Sequence, residues 1–173
     1  RRCAMIQQVE AKAAAFRCAC ASLASPEAAA WLEAFRSDAD VLTVTRAVIE
    51  SPQDDAAAAT MAVRMLRDVV LLGWAGLSEA TVVTARDLLW RRVAGRRDGY
   101  AASAFARLWK RSSKSGPWTA EVLFSASFLG GGDAWRGALA LAGKCVVAEF
   151  SATSGLPRVH ASFEAEASEW WRR

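Results

Sequence analysis

The stretch that decides the fold is residues 54–95, "DDAAAATMAVRMLRDVVLLGWAGLSEATVVTARDLLWRRVAG". It predicts two helices joined by a tight turn that contains glycine. The first helix has two adjacent apolar faces: Ala58, Ala62, Met65, Val69 and Leu72 on one, and Ala59, Val63, Leu66 and Val70 on the other. Because a surface helix usually carries one apolar stripe, we expect this helix to be buried on two sides.

The composition of the 173 residues favours helix throughout, since alanine is abundant, Gly and Pro are sparse, and β-branched residues do not alternate with polar ones. The net charge is +4, and the basic residues form only short pairs, which are typical of solvated helix ends. We therefore expect no direct contact with nucleic acid. No apolar run approaches the roughly 20 residues that cross a bilayer, so no membrane association is expected.

Catalytic and metal-binding patterns are missing from the sequence. Four cysteines and the single His160 have no zinc-ligand spacing, and we expect the cysteines to be small buried hydrophobes. The glycine-rich "LGGGDAWRG" at 129–137 lacks the Gly-Lys-Ser/Thr of a phosphate loop. We expect a protein that is not an enzyme and that binds no cofactor or metal.

Helix-start signals recur along the chain. They are Ser25 with Pro26, Asp40, Asp54 or Asp55, Ser78 with Glu79, Asp98, Ser115 with Pro117, and Asp133. A first helix is predicted over 3–23, and the helix that begins at Ser78–Glu79 is predicted to end at Gly95.

A motif repeats about every 40 residues, at Ala58, Ala101 and Ala138, with a basic residue six positions later each time. Helix pairs at this period predict an all-α, α-α superhelix, a HEAT- or armadillo-like solenoid. The predicted pairs are about 26–50, 55–95, 99–129 and 133 onward. Because position 1 is not methionine, we expect residues 1–173 to be a fragment of a longer solenoid.

Four blocks of this chain resemble the N-terminal repeats of the importin-β superfamily of nuclear transport receptors, and within it the exportin-four branch. The resemblance covers about residues 25–165, and its blocks are "WLEAFRSDADVLTVTRAVIES", "AAATMAVRMLRDVVLLGWAGLSEATVVTARDLLWRRVAG", "GYAASAFARLWKRS" and "ALAGKCVVAEFSATSG". The family's turn between two helices corresponds here to Phe35-Arg36-Ser37. The chain departs from the family in length and in its enrichment in alanine and arginine.

The resemblance implies a nuclear export receptor (a karyopherin) that shuttles between nucleus and cytoplasm through the nuclear pore complex. Inner helices would bind the small GTPase Ran in its GTP form, outer helices would bind phenylalanine-glycine nucleoporins, and the superhelix would hold protein cargo. On this interpretation the inner helices are 40–50, 79–95 and 117–129. The candidate partner-binding residues lie on the polar side of the middle one: Thr84, Arg86, Asp87 and Arg91.

Three alternatives remain open at the level of sequence. A generic HEAT or armadillo scaffold for protein–protein interaction has the same helix pairs. A helical transcription regulator would need a helix-turn-helix with a basic recognition helix, for which residues 1–50 offer no suitable turn. A helical enzyme would need a convergent polar cluster.

Overall fold

The computed structural model describes residues 2–53, 55–112, 141–145 and 148. The predicted helices at 117–129 and near the C-terminus, and most of the one from 133 onward, lie outside these residues. Residues 141–145 are helical, in agreement with the helix predicted from 133 onward. The chain divides into two compact units, residues 1–88 and residues 89–173, which are described separately.

The first unit consists of helices joined by short turns. They are α1 (Arg2–Ala21), α2 (Pro26–Phe35), α3 (Val41–Glu50), α4 (Ala56–Leu72), a 3₁₀ turn (Trp74–Gly76) and the first part of α5 (Glu79–Arg96). The rest of α5 and α6 (Gly99–Ser112) belong to the second unit. The described part of the chain is mostly helical and contains no strand, so the all-α prediction is confirmed at this level.

Four predicted helix starts are confirmed by their capping hydrogen bonds. Ser78 Oγ accepts from the N–H of Thr81 at 3.2 Å. Ser25 Oγ accepts from the N–H of Ala28 at 3.4 Å, and Asp55 Oδ1 accepts from the N–H of Ala58 at 2.9 Å. Asp98 accepts from two N–H groups in the first turn of α6, at 2.9 and 3.1 Å. Each cap satisfies backbone donors that a helix start leaves without a partner.

Asp40 behaves differently from the other predicted caps. It does precede α3, but its side chain makes no capping hydrogen bond to that helix. Its carboxylate instead accepts a hydrogen bond from Lys12 on α1 at 2.8 Å. Asp40 therefore binds the ammonium group of Lys12 and not the backbone N–H of α3 that the sequence suggested.

The core of the first unit forms where α1, α3 and α4 pack against one another, with α2 packed on α1. Phe16 on α1 is fully buried and meets the ring of Phe35 edge-on at a centroid distance of 5.8 Å. The buried residues of α4 are Ala58, Ala59, Ala62, Val63, Met65, Leu66 and Val70. Both predicted apolar faces of α4 are therefore buried along most of the helix, and α1 and α3 are the helices that pack on it.

The C-terminal end of α4 departs from the sequence pattern. Leu72, predicted to continue one buried face, is 88% exposed, and Val69 is only partly buried. Leu72 is the last residue of α4 and adjoins the exposed turn at Gly73. The apolar periodicity thus continues past Val70, the last buried residue of α4.

The second unit has its own aromatic core. The ring centroids of Trp90 and Phe105 lie 5.5 Å apart, and those of Phe105 and Trp109 lie 6.0 Å apart. Beside them, Arg92 Nε donates to Asp98 Oδ2 at 2.6 Å, and the two side chains are 9% and 11% exposed. Asp98 therefore both caps α6 and anchors it to α5.

Helix α5 does not stop at Gly95 as predicted. It continues to Arg96, and Arg97 then adopts a left-handed backbone conformation with φ of 50°. The N–H of Arg97 donates to the carbonyl of Val93 at 2.9 Å, which closes the last turn. A left-handed residue directly after a helix is a common way to end it, although glycine usually occupies that position.

Two leucine-to-alanine variants of α4 test the extent of its buried faces. Leu66 is 2% exposed and Leu72 is 88% exposed. Leu66→Ala should lower the free energy of unfolding by about 2–5 kcal/mol, because it leaves a cavity. Leu72→Ala should change it by less than about 0.5 kcal/mol. Urea denaturation measures both, and equal losses in the two variants would contradict the described end of the core.

The left-handed conformation of Arg97 predicts opposite effects on stability for glycine substitutions at positions 97 and 96. Arg97→Gly should stabilise the protein by about 1 kcal/mol, because glycine adopts a positive φ without the steric cost that a side chain incurs. Arg96→Gly, which removes the same side chain one position earlier inside the helix, should destabilise it by about 0.5–1 kcal/mol. Thermal melting of the two variants distinguishes these outcomes, and a loss of stability in Arg97→Gly would place the helix end elsewhere.

Candidate partner-binding groove

A groove of about 420 Å³ lies in the first unit between α3, α4 and α5. Its walls come from the turn before α3, from one face of α3, from α4 and from the first three turns of α5. The lining residues are Ala39, Leu42, Thr43, Arg46, Leu66, Ala80, Thr81, Thr84, Ala85 and Leu88. This size and mostly apolar lining are typical of binding sites in proteins.

Helix α3 contributes its outward side to the groove because its other side is needed for the core. Val41, Val44, Val48 and Ile49 are buried, while Thr43 and Arg46 are exposed. The one buried polar residue on the core side, Thr45, donates its hydroxyl to the carbonyl of Val41 at 2.7 Å. The amphipathic sequence of α3 thereby orients Thr43 and Arg46 toward the groove.

Helix α5 borders the groove with small residues. Alanine and threonine side chains at positions 80, 81, 84 and 85 lie on one face of the helix and leave space beside it. Thr84 is exposed, and its hydroxyl donates to the carbonyl of Ala80 at 2.7 Å. The hydroxyl oxygen therefore remains on the groove wall as a polar atom within an apolar lining.

The four predicted partner-binding residues have different environments. Thr84 lines the groove, and Asp87 is partly exposed on the same helix. Arg91 is exposed and belongs to the second unit. Arg86 does not face solvent as predicted: it is 6% exposed, and its Nη2 lies 2.7 Å from Asp87 Oδ1. A neighbouring carboxylate allows the guanidinium to be buried as an ion pair. Partner binding by these four residues stays a prediction.

Arg46 was missed as a candidate by the sequence analysis. It lines the groove, its side chain is 50% exposed, and its Nε donates to Glu50 Oε2 at 2.9 Å. The signal was present, because an Arg–Glu pair four residues apart on a helix predicts one polar, solvent-facing edge. What the sequence does not reveal is that this edge borders a cavity.

The end of the groove at Ala39 is held by a small ion cluster. Lys12 Nζ on α1 donates to both carboxylate oxygens of Asp38, at 2.7 and 2.8 Å, and to Asp40 at 2.8 Å. The hydrogen bonds to Asp38 and Asp40 raise the pKa of Lys12 above its ordinary value. The same bond to Lys12, assisted by the N–H of Asp40, lowers the pKa of Asp38. The cluster fixes the turn from which α3 begins.

A second groove, of about 410 Å³, lies between α1 and α2. Alanines form much of its lining, and the rings of Trp31 and Phe35 stack there with centroids 5.0 Å apart and planes at 6°. Trp31 is partly exposed, whereas Phe35 is buried. This groove therefore offers an aromatic surface, formed by Trp31 and Phe35.

The described residues contain little that would support catalysis. No group of three or more His, Cys, Asp or Glu residues among them could hold a metal ion. Cys20 is buried as expected, and burial, helped by the charge of Asp55, raises its pKa to about 11, so the thiol is protonated near neutral pH and is a poor nucleophile. Cys18 is exposed, contrary to the expectation for the cysteines.

No helix in the described ranges is both long and apolar enough to cross a bilayer. Comparison with known proteins gave no match: no protein-family model, no curated protein and no solved structure matches the chain. The function proposed below therefore rests on the residues of this chain, on their geometry and on the sequence resemblance described above.

The ion cluster at Lys12 predicts a defined pH dependence. A lowered pKa of Asp38 contributes stability above its ordinary value of 3.8, and this is lost as pH falls through the folded-state pKa. A raised pKa of Lys12 contributes stability below 10.5, which is lost as pH rises beyond that value. Native protein should therefore melt at a higher temperature than Lys12→Met from about pH 5 to pH 9, with the difference shrinking below pH 4.

The matched control for this measurement is Lys144→Met, which removes an exposed lysine from a different part of the chain. Its melting temperature should follow that of the native protein across the whole pH range. A difference between native protein and Lys12→Met that persists unchanged at pH 2 would mean that lost packing, and not the ion cluster, causes the effect.

Proposed function

We propose that this chain is an N-terminal HEAT-like repeat segment of a nuclear export receptor of the importin-β superfamily. It binds Ran in the GTP form, phenylalanine-glycine nucleoporins and protein cargo, and it moves between nucleus and cytoplasm through the nuclear pore complex. It is a binding module without chemistry of its own. The observation that carries the proposal is the groove between α3 and α5, the two described helices that the resemblance identifies as inner helices.

Helix boundaries support the repeat architecture. The Phe35-Arg36-Ser37 block, which corresponds to a family turn, falls at the end of α2 and before α3. A turn that contains Trp74 separates α4 from α5, and α6 closes with Lys110 and Arg111 in its last turn. We propose that α2–α3 and α4–α5 are successive helix pairs of a HEAT-like superhelix.

The groove between α3 and α5 has the properties expected of part of a protein-binding surface. It presents apolar lining together with the Arg46 guanidinium and threonine hydroxyls, which fix orientation by hydrogen bonding. A stable protein interface buries about 1,200–2,000 Å² in total, so the groove would be one contact within a larger concave surface. Solenoids supply such surfaces because their repeats stack in one direction.

The groove between α1 and α2 supports the nucleoporin part of the proposal. In the proposed arrangement α2 is an outer helix, and its partly exposed Trp31 stacks on Phe35. Aromatic side chains gain additional stabilisation from offset or edge-on contact with one another. A phenylalanine of a nucleoporin repeat would therefore pack favourably against Trp31.

The two grooves allow a test in which each variant controls for the other. The native chain should bind Ran loaded with a GTP analogue and should not bind Ran-GDP, as measured by isothermal titration calorimetry. Thr43→Trp fills the first groove from an exposed position and should weaken binding to Ran-GTP at least about tenfold, equivalent to 1.4 kcal/mol. Trp31→Leu should leave Ran binding unchanged and weaken binding to a phenylalanine-glycine repeat peptide.

Circular dichroism should show that both variants retain the native helix content. Equal affinity for the two nucleotide states of Ran would remove the transport-receptor proposal and favour a generic HEAT or armadillo scaffold. Loss of Ran binding in Trp31→Leu, with Thr43→Trp unaffected, would mean that the partner surface is not the groove between α3 and α5.

A further inference from the structure

Two serine–proline steps lie in the described part of the chain, and their environments differ. Ser25–Pro26 begins α2, where the Ser25 hydroxyl donates to the carboxylate of Glu27 and its oxygen accepts from the N–H of Ala28. The Ser25 hydroxyl is therefore committed to capping a helix. A kinase that used it would have to break both hydrogen bonds.

Ser51–Pro52 follows α3 and is more accessible. Ser51 is partly exposed, and Pro52 and Gln53 are exposed. Its backbone is extended, with φ of −59° and ψ of 135°, because a residue before proline disfavours the helical conformation. Ser51 Oγ accepts from the N–H of Gln53 at 3.2 Å, and within the described residues its hydroxyl donates to no acceptor.

We propose that Ser51 is a phosphorylation site for a proline-directed protein kinase. The extended, exposed Ser-Pro-Gln segment and the uncommitted hydroxyl are what such an enzyme needs to align a substrate. In the reaction, Ser51 Oγ attacks the γ-phosphorus of Mg-ATP, the bond from that phosphorus to the bridging oxygen breaks, and ADP leaves. The hydroxyl proton passes to the catalytic aspartate of the kinase.

A phosphate at this position acts against the end of α3. It carries a charge of about −1.5 to −2 and would stand at the negative C-terminal end of the helix. Glu50 precedes it in the chain, and the side chain of Asp55 lies four residues further on. Like charges and the helix dipole therefore both oppose the phosphate, and the last turn of α3 is the part that yields.

The consequence for the groove rests on the function proposed above. Glu50, in that last turn, is the ion-pair partner of Arg46, which lines the groove between α3 and α5. When the last turn loosens, Arg46 loses the contact that holds its side chain along the helix. Phosphorylation of Ser51 thus weakens partner binding at the groove, and its removal restores binding.

The site itself is tested without any partner. The whole chain is incubated with a proline-directed kinase and Mg-ATP, and phosphate is assigned by mass spectrometry, with a synthetic peptide of residues 45–58 as the substrate control. Ser51 should be modified several times faster than Ser25, and Ser51→Ala should abolish most of the incorporation. Faster modification of Ser25, or a peptide that is modified while Ser51 in the folded chain is not, would overturn the proposal.

The effect on α3 is read by thermal melting of the phosphorylated chain. The melting temperature should fall by roughly 2–6 °C at low salt, and by less at high salt, because the opposing interactions are electrostatic. Ser51→Ala treated with the same kinase gains no phosphate at this position and should keep the melting temperature that it has before treatment. An unchanged or raised melting temperature after phosphorylation of Ser51 would refute the effect on α3.

The regulatory consequence is measured separately with Ran-GTP. Phosphorylation should lower its affinity several-fold in the native chain and have no effect in Ser51→Ala. Ran binding that is unaffected by a confirmed phosphate at Ser51 would refute the regulation alone. Absence of Ran binding in the unmodified chain would bear on the proposed function and not on the modification site.

Discussion

The burial of α4 on two sides is the constraint on which the first unit depends. Its apolar residues cover adjacent faces, so a single partner helix would leave one of them in water at a cost of about 1.5–3 kcal/mol for each large side chain. α1 and α3 both pack on α4, and they also pack on each other. The mutual packing of α1, α3 and α4 therefore buries both apolar faces of α4. Helix α2 packs on α1.

The position of α3 in this core determines the candidate site. Because Val44, Thr45 and Val48 are buried, Thr43 and Arg46 are directed to the other side of a helix of only three turns. The Lys12 cluster holds the start of α3 and the Arg46–Glu50 pair lies at its end. Charged groups thus interact at both ends of α3. The geometry of this helix is therefore sensitive to pH and to added negative charge.

The groove and the proposed phosphorylation site suit a module whose function is reversible binding. Partner binding at a concave helical surface needs shape and a few polar groups, and the groove between α3 and α5 has both. Phosphate on Ser51, at the end of α3, would change the shape of the groove without disturbing the buried core. Local opening of a helix end costs far less free energy than global unfolding. The proposed binding and its proposed regulation therefore depend on different residues.

Much of the local structure was predictable from the sequence, because helix starts depend on nearby residues. Ser25, Asp55 and Asp98 cap helices as expected, since each carries a side-chain oxygen that reaches a backbone N–H two or three residues on. The two apolar faces of α4 follow equally from its periodicity. The proposed relationship to nuclear transport receptors also rests on sequence alone.

Tertiary structure decided which surfaces meet, and with them the exposure of individual side chains. The sequence places Leu72 on a buried face and Arg86 on a polar one, but Leu72 is exposed at the end of α4 and Arg86 is buried beside Asp87. It does not indicate that α1, which ends at Ala21, packs on α4, which begins at Ala56, or that Arg46 borders a groove. Periodicity determines which face of a helix is apolar, whereas burial depends on whether another helix reaches that face, and that depends on contacts distant in the chain.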